Sequence, residues 1–440
     1  MIRSLIISIP FTFLALQPSS AGQSPFFKTL YAFNGYVNSG DGTQPTTPLV
    51  IGPGGVLYGT TYSGGISNNG TVFELVPSDS PSDSWREIQI HRFTGGSDGS
   101  GPTGLVLGDD FVLYGVTAAG GGSGCGTGCG TAFSLNRDLE GASVSSPEGS
   151  WIKQTYVFGP SIVVPDSLKS AGGGLLYGTS LLGGITPCDA FMGCGSVFTL
   201  KPPSQWDRSW QTQVLFSFPD GPGGYLPIMA ALARNGMIFG TSHGGNSNCP
   251  FGCGLVFSLT PPQWKGDWAS APWTETVLHT FINQTYDGEG VSGLLIGEDG
   301  VLYVITAGGG IYGYGTFFSL TPPAWPGGSW TEKILYNFNG PSGAAFPNPG
   351  LVVGKDGVIY GTAFGISGGG DPYEGAVWSL TPPAWPGGPW TEKVLHSFTG
   401  GVDGGNPGAA LVMGDDRVLY GTTTVGGGDG KFGTVFALKP

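Results

Sequence analysis

Apolar residues along this chain gather in short runs of four to nine positions, each bounded by Gly, Pro or Asp-Gly. β-Branched and aromatic residues dominate the runs, and no sustained 3.6-residue period appears beyond the first twenty or so residues. The pattern predicts strands throughout and no helices. In Gly433 to Leu438, Thr434, Phe436 and Leu438 share one face while Val435 and Ala437 share the other. Neither face carries a charge, which suits a sheet covered on both sides.

The runs repeat. A Leu-Tyr-Gly-Thr core places an aromatic at Tyr58, Tyr114, Tyr177, Phe239, Tyr303, Tyr360 and Tyr420, at intervals of 56 to 64 residues. Downstream of each comes Gly-Thr-Val-Phe-x-Leu, with its aromatic at Phe73, Phe133, Phe198, Phe257, Phe318, Trp378 and Phe436. A third run reads Trp-Thr-Glu-Lys-Val-Leu-His-x-Phe at 390–398, and a fourth reads Gly-Leu-Val-x-Gly at 104–108 and 350–354. Asp299-Gly300 and Asp356-Gly357 join the fourth run to the first through tight hairpins, because Asp-Gly supplies positive φ. With the runs named A (Gly-Leu-Val), B (Leu-Tyr-Gly), C (Gly-Thr-Val-Phe) and D (Trp to Phe), one repeat is a four-stranded antiparallel meander. The fold predicted is all-β: a seven-bladed β-propeller of four-stranded blades. The Gly after the strand-B aromatic is expected to allow close approach near a crowded axis; the fifth repeat has Val304 there.

The ends give the sharpest expectation. Phe26 to Phe33 reads as a strand D with no blade before it, and Gly433 to Lys439 as a strand C with no D after it. Together they complete one blade, so the N-terminal strand closes the ring.

Glycine (83 residues) and proline (35) are abundant enough to raise disorder, but hydrophobic residues make up 39% and aromatics 12%. A chain so rich in rings can bury enough surface to offset its ordering entropy. Charge is sparse and acidic, with a net of −13. Without a basic cluster to neutralise phosphates, nucleic acid is excluded as a partner. The N-terminus reads as an export signal over residues 1–21: Arg3, the apolar Leu5 to Leu16, then Ser19-Ser20-Ala21. Residues 22–440 form one propeller domain, with no membrane span once the signal is removed. The expected product is a secreted or cell-surface monomer.

The Leu-Tyr-Gly-Thr-Thr … Gly-Gly … Gly-Thr-Val-Phe-x-Leu signature at Leu57–Leu75 and Leu419–Leu438 resembles the GloVer repeat of extracellular tandem-repeat proteins. That resemblance implies a secreted or surface-displayed propeller-like protein and carries over no catalytic residues.

Six cysteines fall in three consecutive B–C loops, as Cys125/Cys129, Cys188/Cys194 and Cys249/Cys253. In an oxidising compartment, equivalent placement predicts three local disulfides. Two thiolates per loop with no third ligand exclude a zinc site, and no cofactor or metal is expected. His91, His279 and His396 recur at one strand-D position, which marks them as structural; His243 stands alone in a loop. Gly365 to Gly369 matches Gly-x-Ser-x-Gly, but no helix follows to make a nucleophile elbow.

Strand alternation puts the D–A and B–C loops on one face of the ring and the A–B and C–D turns on the other. The first face carries the long, variable loops, where function resides. Its candidate ligand-binding residues are Asp41, Asp98, Asp287 and Asp403 in D–A loops, with Tyr62, Tyr312, Tyr314 and Tyr373 in B–C loops; Phe251 and Phe432 add further rings. Carboxylates beside tyrosine rings suit sugars, whose apolar faces stack and whose hydroxyls donate. On the opposite face, Trp206, Trp264, Trp325 and Trp385 are expected to pack on Pro within the C–D turns. The functional expectation is a non-enzymatic binding or surface-interaction propeller for an extracellular glycan or cell-surface component. The alternative is an extracellular carbohydrate-active enzyme, a glycoside hydrolase or lyase, with two loop aspartates as acid and base or nucleophile.

Overall fold

The computed structural model describes residues 25–35, 40–78, 85–122, 125–126, 128–138, 150–184, 193–203, 209–219, 224–233, 235–244, 253–262, 272–282, 288–297, 299–325, 327–340, 343–366, 374–428 and 431–440. The strand runs pair within their own repeats as antiparallel meanders. The second blade is typical, with strand A at Ser100–Leu107, B at Leu113–Ala119, C at Thr131–Asp138 and D at Ser150–Val157. Seven such sheets form the ring. In the sixth, strand A is broken into Ala344–Pro347 and Val352–Val353. Pro349 lies in the gap; a proline cannot donate to a ladder, so regular pairing stops there.

The ring closes as the sequence predicts. Phe26–Ala32 is the outer strand of the seventh blade, with Phe27 opposite Leu438, Lys28 opposite Ala437 and Ala32 opposite Thr434. A register shift between Thr29 and Tyr31 recurs between strands C and D of five other blades, for example at Val72/Phe73 and Val377/Trp378. In the second blade C and D pair without a shift. The shift accounts for spacing: Trp stands eight residues before the terminal Phe elsewhere, as Trp390 before Phe398, but seven in blade two, as Trp151 before Phe158.

Each blade is stapled to the next by two aromatic rings. The Phe that ends strand D of one blade meets the strand-C aromatic of its neighbour edge to face: Phe33 with Phe73, Phe93 with Phe133, Phe158 with Phe198, Phe218 with Phe257, Phe281 with Phe318, Phe338 with Trp378 and Phe398 with Phe436. Centroid distances run from 5.0 Å (Phe218–Phe257) to 5.4 Å (Phe158–Phe198). All fourteen side chains are buried, so each pair adds oriented ring contact to full apolar burial. The Phe33–Phe73 pair, between the seventh blade and the first, uses the N-terminal strand.

These rings explain the strand-B glycine, and differently from the expectation. A Cβ on Gly178 would stand 2.5 Å from Phe198 Cζ, and one on Gly361 2.3 Å from Trp378 Cζ2. The space belongs to the strand-C ring alongside, not to the central axis.

Strand A is nevertheless the innermost. Strand-A backbones of neighbouring blades touch directly: Gly293 lies against Gly350, and Gly350 against Ala410. Six of the seven A strands begin with X-Pro, at Pro45, Pro102, Pro165, Pro227, Pro347 and Pro407, and the fifth blade has Val291 there. Each of these rings or methyls packs on the Gly before strand C of the preceding blade, as Pro102 does on Gly70 and Pro227 on Gly195. The X residue donates its N–H to the residue before that Gly, as Gln44 does to Phe432 O at 3.0 Å and Asn406 to Glu374 O at 2.7 Å.

Candidate functional site

The D–A aspartates are engaged at the blade junctions. Asp41 is buried and accepts from Tyr31 Oη at 3.0 Å, Asn34 N–H at 2.7 Å, Gly42 N–H at 2.7 Å and Gln89 Nε2 at 3.2 Å. Asp98 accepts from Thr94 N–H at 2.7 Å, lies 3.1 Å from His91 Nε2, and pairs with Lys153 of the second blade. Burial opposes its ionisation, but the hydrogen bonds from His91, Lys153 and Thr94 win and hold the carboxyl below its usual range. Asp403 repeats the motif seven residues after His396, at 3.1 Å from its Nε2 and also 3.1 Å from Thr399 N. In each, the sequence His-x-Phe-Thr-Gly-Gly-x-Asp folds back so that Asp clamps the end of strand D. Asp287 lies outside the described residues.

The histidines behave as ring members of that strand. His91, His279 and His396 stand edge-on to Phe93, Phe281 and Phe398, and Tyr31, Tyr156, Phe216 and Tyr336 hold the same relation to their own strand-end Phe. His243 pairs across strands with Tyr225, and burial lowers its pKa.

The loop-face tyrosines divide. Tyr62 and Tyr312 are exposed. Tyr314 is half-buried and stands 5.4 Å from Phe346, edge to face; Phe346 itself is 43% exposed. The ring of Tyr62 covers Gly101 of the second blade, where a Cβ would sit 2.8 Å from it. Gly101 and Phe346 are both X residues of X-Pro, so Tyr62 and Tyr314 cover the same position at two different junctions. Tyr373 and Phe251 lie outside the described residues.

That X position, at the mouth of the axis, was not legible in the loop chemistry. Gln44, Val164, Leu226, Phe346 and Asn406 all have φ between 51° and 56° there, and Gly101 and Gly290 complete the seven. Positive φ is costly for bulky and β-branched side chains, and a proline next door disfavours the helical alternative. The recurrence of Pro every sixty residues was the available signal. Two residues further on, Thr103 Oγ1 donates to Pro165 O at 2.6 Å, Ser292 Oγ to Pro347 O at 3.3 Å and Asn348 Nδ2 to Pro407 O at 2.6 Å, each reaching the next blade. Asp166 holds this position in the third blade, where burial raises its pKa. Lys169, three residues along, is open to solvent, yet desolvation by the surrounding protein lowers its pKa.

Cys125 and Cys129 form a disulfide in the B–C loop of blade two. Cys194 and Cys253 are also disulfide-bonded, while Cys188 and Cys249 lie outside the described residues. Among the described residues no three His, Cys, Asp or Glu side chains converge to hold a metal ion, and no helix is long and apolar enough to cross a membrane. On the opposite face Trp325 lies beside Gly328 and Trp385 beside Gly388 within their turns, and both remain well exposed. Trp206 and Trp264 lie outside the described residues.

Seven antiparallel sheets around one axis, with loops of two kinds at one mouth, define a β-propeller. The chain belongs to the Gloeobacter/Verrucomicrobia repeat family, whose model matches residues 164–436. Among solved structures it is similar to the extracellular domain of a one-component system from B. thetaiotaomicron (10% identity, TM-score 0.51, covering 94% of this chain and 42% of that one). It is also similar to the polysaccharide lyase Uly1 (10% identity, TM-score 0.50, 90% of each chain) and to a periplasmic gluconolactonase of Pseudomonas aeruginosa (14%, TM-score 0.47, 80% of this chain and 84% of that one). At such identities the likeness is one of fold. No curated protein sequence matches the chain.

Proposed function

We propose that the protein is a secreted binding propeller that takes a glycan on its loop face, with aromatic rings as the platforms. The observation that carries this reading is the repeated ring over the X-Pro position: Tyr62 on Gly101 and Tyr314 against Phe346, with Tyr62 and Phe346 exposed. Rings held on a closed scaffold offer flat apolar faces at little entropic cost, and the neighbouring Gln44 and Asn406 offer amide edges to hydroxyls. The backbone strain at Gln44, Phe346 and Asn406 favours the same surface, since strained residues cluster at ligand clamps.

Asp41, Asp98 and Asp403 serve this reading as supports: their hydrogen bonds fix the loops that present the rings. A hydrolase or lyase would need two carboxylates facing one cleft, and these three each face their own blade junction instead. Export follows from the Arg3 to Ala21 segment and agrees with the Cys125–Cys129 disulfide, a bond that persists in oxidising compartments. The equivalent bonds Cys188–Cys194 and Cys249–Cys253 complete the proposed set.

A glycan array probed with the chain beginning at Gly22 tests the proposal, beside a Tyr62→Ala/Phe346→Ala double variant. Binding by the wild type that drops at least tenfold in the variant is expected. An array with no bound glycan, or equal binding by both proteins, overturns it.

A further inference from the structure

Six of the seven blade junctions are plugged on the face opposite the long loops. The strand-B aromatic of one blade meets the Trp that opens strand D of the next: Tyr58 with Trp151, Tyr114 with Trp210, Tyr177 with Trp273, Phe239 with Trp330, Tyr303 with Trp390 and Tyr420 with Trp85. Their centroids lie 6.1 Å (Tyr58–Trp151) to 6.5 Å (Tyr177–Trp273) apart. The seventh junction, between blades six and seven, has Tyr360 but no indole. Its strand D is the N-terminal one, and the residue eight before Phe33, where Trp85 stands before Phe93, is Pro25. A pocket opens at this junction, lined by Tyr360, Met413, Lys355, Asp356, Arg417 and Lys439 among others.

Three cations in one groove run against the charge of the molecule, which is −13 with only 17 Lys and Arg in all. None of Lys355, Arg417 and Lys439 makes an ion pair among the described residues. Asp356 is turned into its own hairpin, where Oδ1 accepts from Val358 N–H at 3.3 Å. Arg417 also sits where glycine is the rule. The equivalent hairpin position is Gly55, Gly174, Gly236, Gly300 and Gly357 in five blades, all at positive φ; the second blade has Phe111 there at φ 62°, and Arg417 adopts φ 64°. A non-glycine residue pays a conformational cost there, which a binding role would explain.

We infer that this groove binds a carboxylate carried on a ring, with the uronate residue of an acidic glycan as its source. The ring lies over Met413 and the small part of the buried Tyr360 that reaches the groove. The carboxylate takes the guanidinium of Arg417, which is suited to bidentate pairing, with Lys355 and Lys439 alongside. The inference is independent of the loop-face reading, being on the other side of the ring.

Calorimetric titration with a galacturonate oligomer, the matching neutral galactose oligomer and benzoate tests it. Two variants keep the fold: Arg417→Gly restores the turn residue of five other blades, and Pro25→Trp supplies the missing plug. The galacturonate oligomer should bind the wild type, more weakly as salt rises, and the neutral oligomer should not. Affinity should fall about tenfold or more in Arg417→Gly, as the loss of charge-assisted hydrogen bonds implies. It should vanish in Pro25→Trp with thermal stability kept or raised. No binding of galacturonate, equal binding of the neutral oligomer, or unchanged affinity in both variants overturns the inference; tight benzoate binding without galacturonate binding overturns the glycan source.

Discussion

The strand-C position after the aromatic is Ser134, Ser258, Ser319 or Ser379 in four blades, Thr199 and Ala437 in two, and Glu74 in the first. Glu74 is only 1% exposed, and among the described residues its ion-pair partner is the Arg137 guanidinium of blade two, whose Nη2 lies 2.7 and 2.6 Å from the two carboxylate oxygens. Arg137 lies in turn over Trp151, 5.1 Å from the ring centre. Replacing Arg137 by Met keeps the apolar stem and leaves a buried carboxylate without its counter-charge. Breaking a buried pair in this way costs about 3–5 kcal/mol. At roughly 2.1 cal/mol/K per residue over some 400 residues, the unfolding entropy is about 0.85 kcal/mol/K, so the melting temperature should drop by about 4–6 °C. The pH dependence carries the sign. Protonation would remove the buried, unpaired charge, so the deficit should be largest at neutral pH and shrink on acidification. A Glu74→Leu/Arg137→Met double variant should recover most of the loss, since a buried pair replaced by apolar side chains is close to neutral. Differential scanning calorimetry from pH 4.5 to 8 reads all three. A single variant as stable as wild type at pH 7, or one whose deficit grows on acidification, would refute the reasoning.

Removing one ring of an inter-blade staple, as in Phe218→Ala, should cost about 3–5 kcal/mol in chemical denaturation; a loss under 1 kcal/mol would show that the staples do not hold the blades together. Burial raises Glu275 to about 7, so the folded state binds the extra proton and this group's contribution to stability falls as pH climbs from about 4.5 through 7. Glu275→Gln should flatten the melting profile over that window, and an unchanged slope would count against it. Among the described residues Ser242 Oγ is buried with no hydrogen-bond partner, because Leu255 stands where other blades pair a second hydroxyl, as Thr117 does with Thr131 at 2.8 Å. Ser242→Ala should leave stability equal or raise it by about 1 kcal/mol, whereas a clear loss would mean that the hydroxyl is satisfied. Reduction of the intact protein should add the mass of six hydrogens, two for each of the three proposed disulfides; a smaller gain would remove at least one of the proposed pairs.

Much of the architecture was written in the repeat itself. Tyr58-Gly59 and its five counterparts, the Asp-Gly hairpins and the orphan strands at Phe26 and Gly433 each fix a local geometry that only a closed ring satisfies together. What stayed hidden depended on contacts between blades. Within a blade too, nothing in Gly178 says that its missing Cβ makes room for Phe198, because that ring comes from the paired strand some twenty residues on. The X-Pro mouth was equally hard to see: Gln44, Val164, Leu226, Phe346 and Asn406 share no chemistry, only a backbone angle. Asp98 and Asp403 were conspicuous as carboxylates, but their hydrogen bonds to Thr94 and Thr399, four residues back, needed the fold of the loop. The unplugged junction shows the same limit from the other side, since Pro25 becomes informative only once Trp85 and its counterparts are known to meet strand-B rings.

Circular closure is most directly tested by the N-terminal strand. A chain starting at Gly35 loses the pairing of Phe27 with Leu438 and the staple of Phe33 on Phe73. It should melt well below the chain starting at Gly22, and a synthetic peptide spanning residues 25–34 should restore the higher transition when added in trans. Identical melting of the two chains, with no effect of the peptide, would mean that the ring is shut by something else.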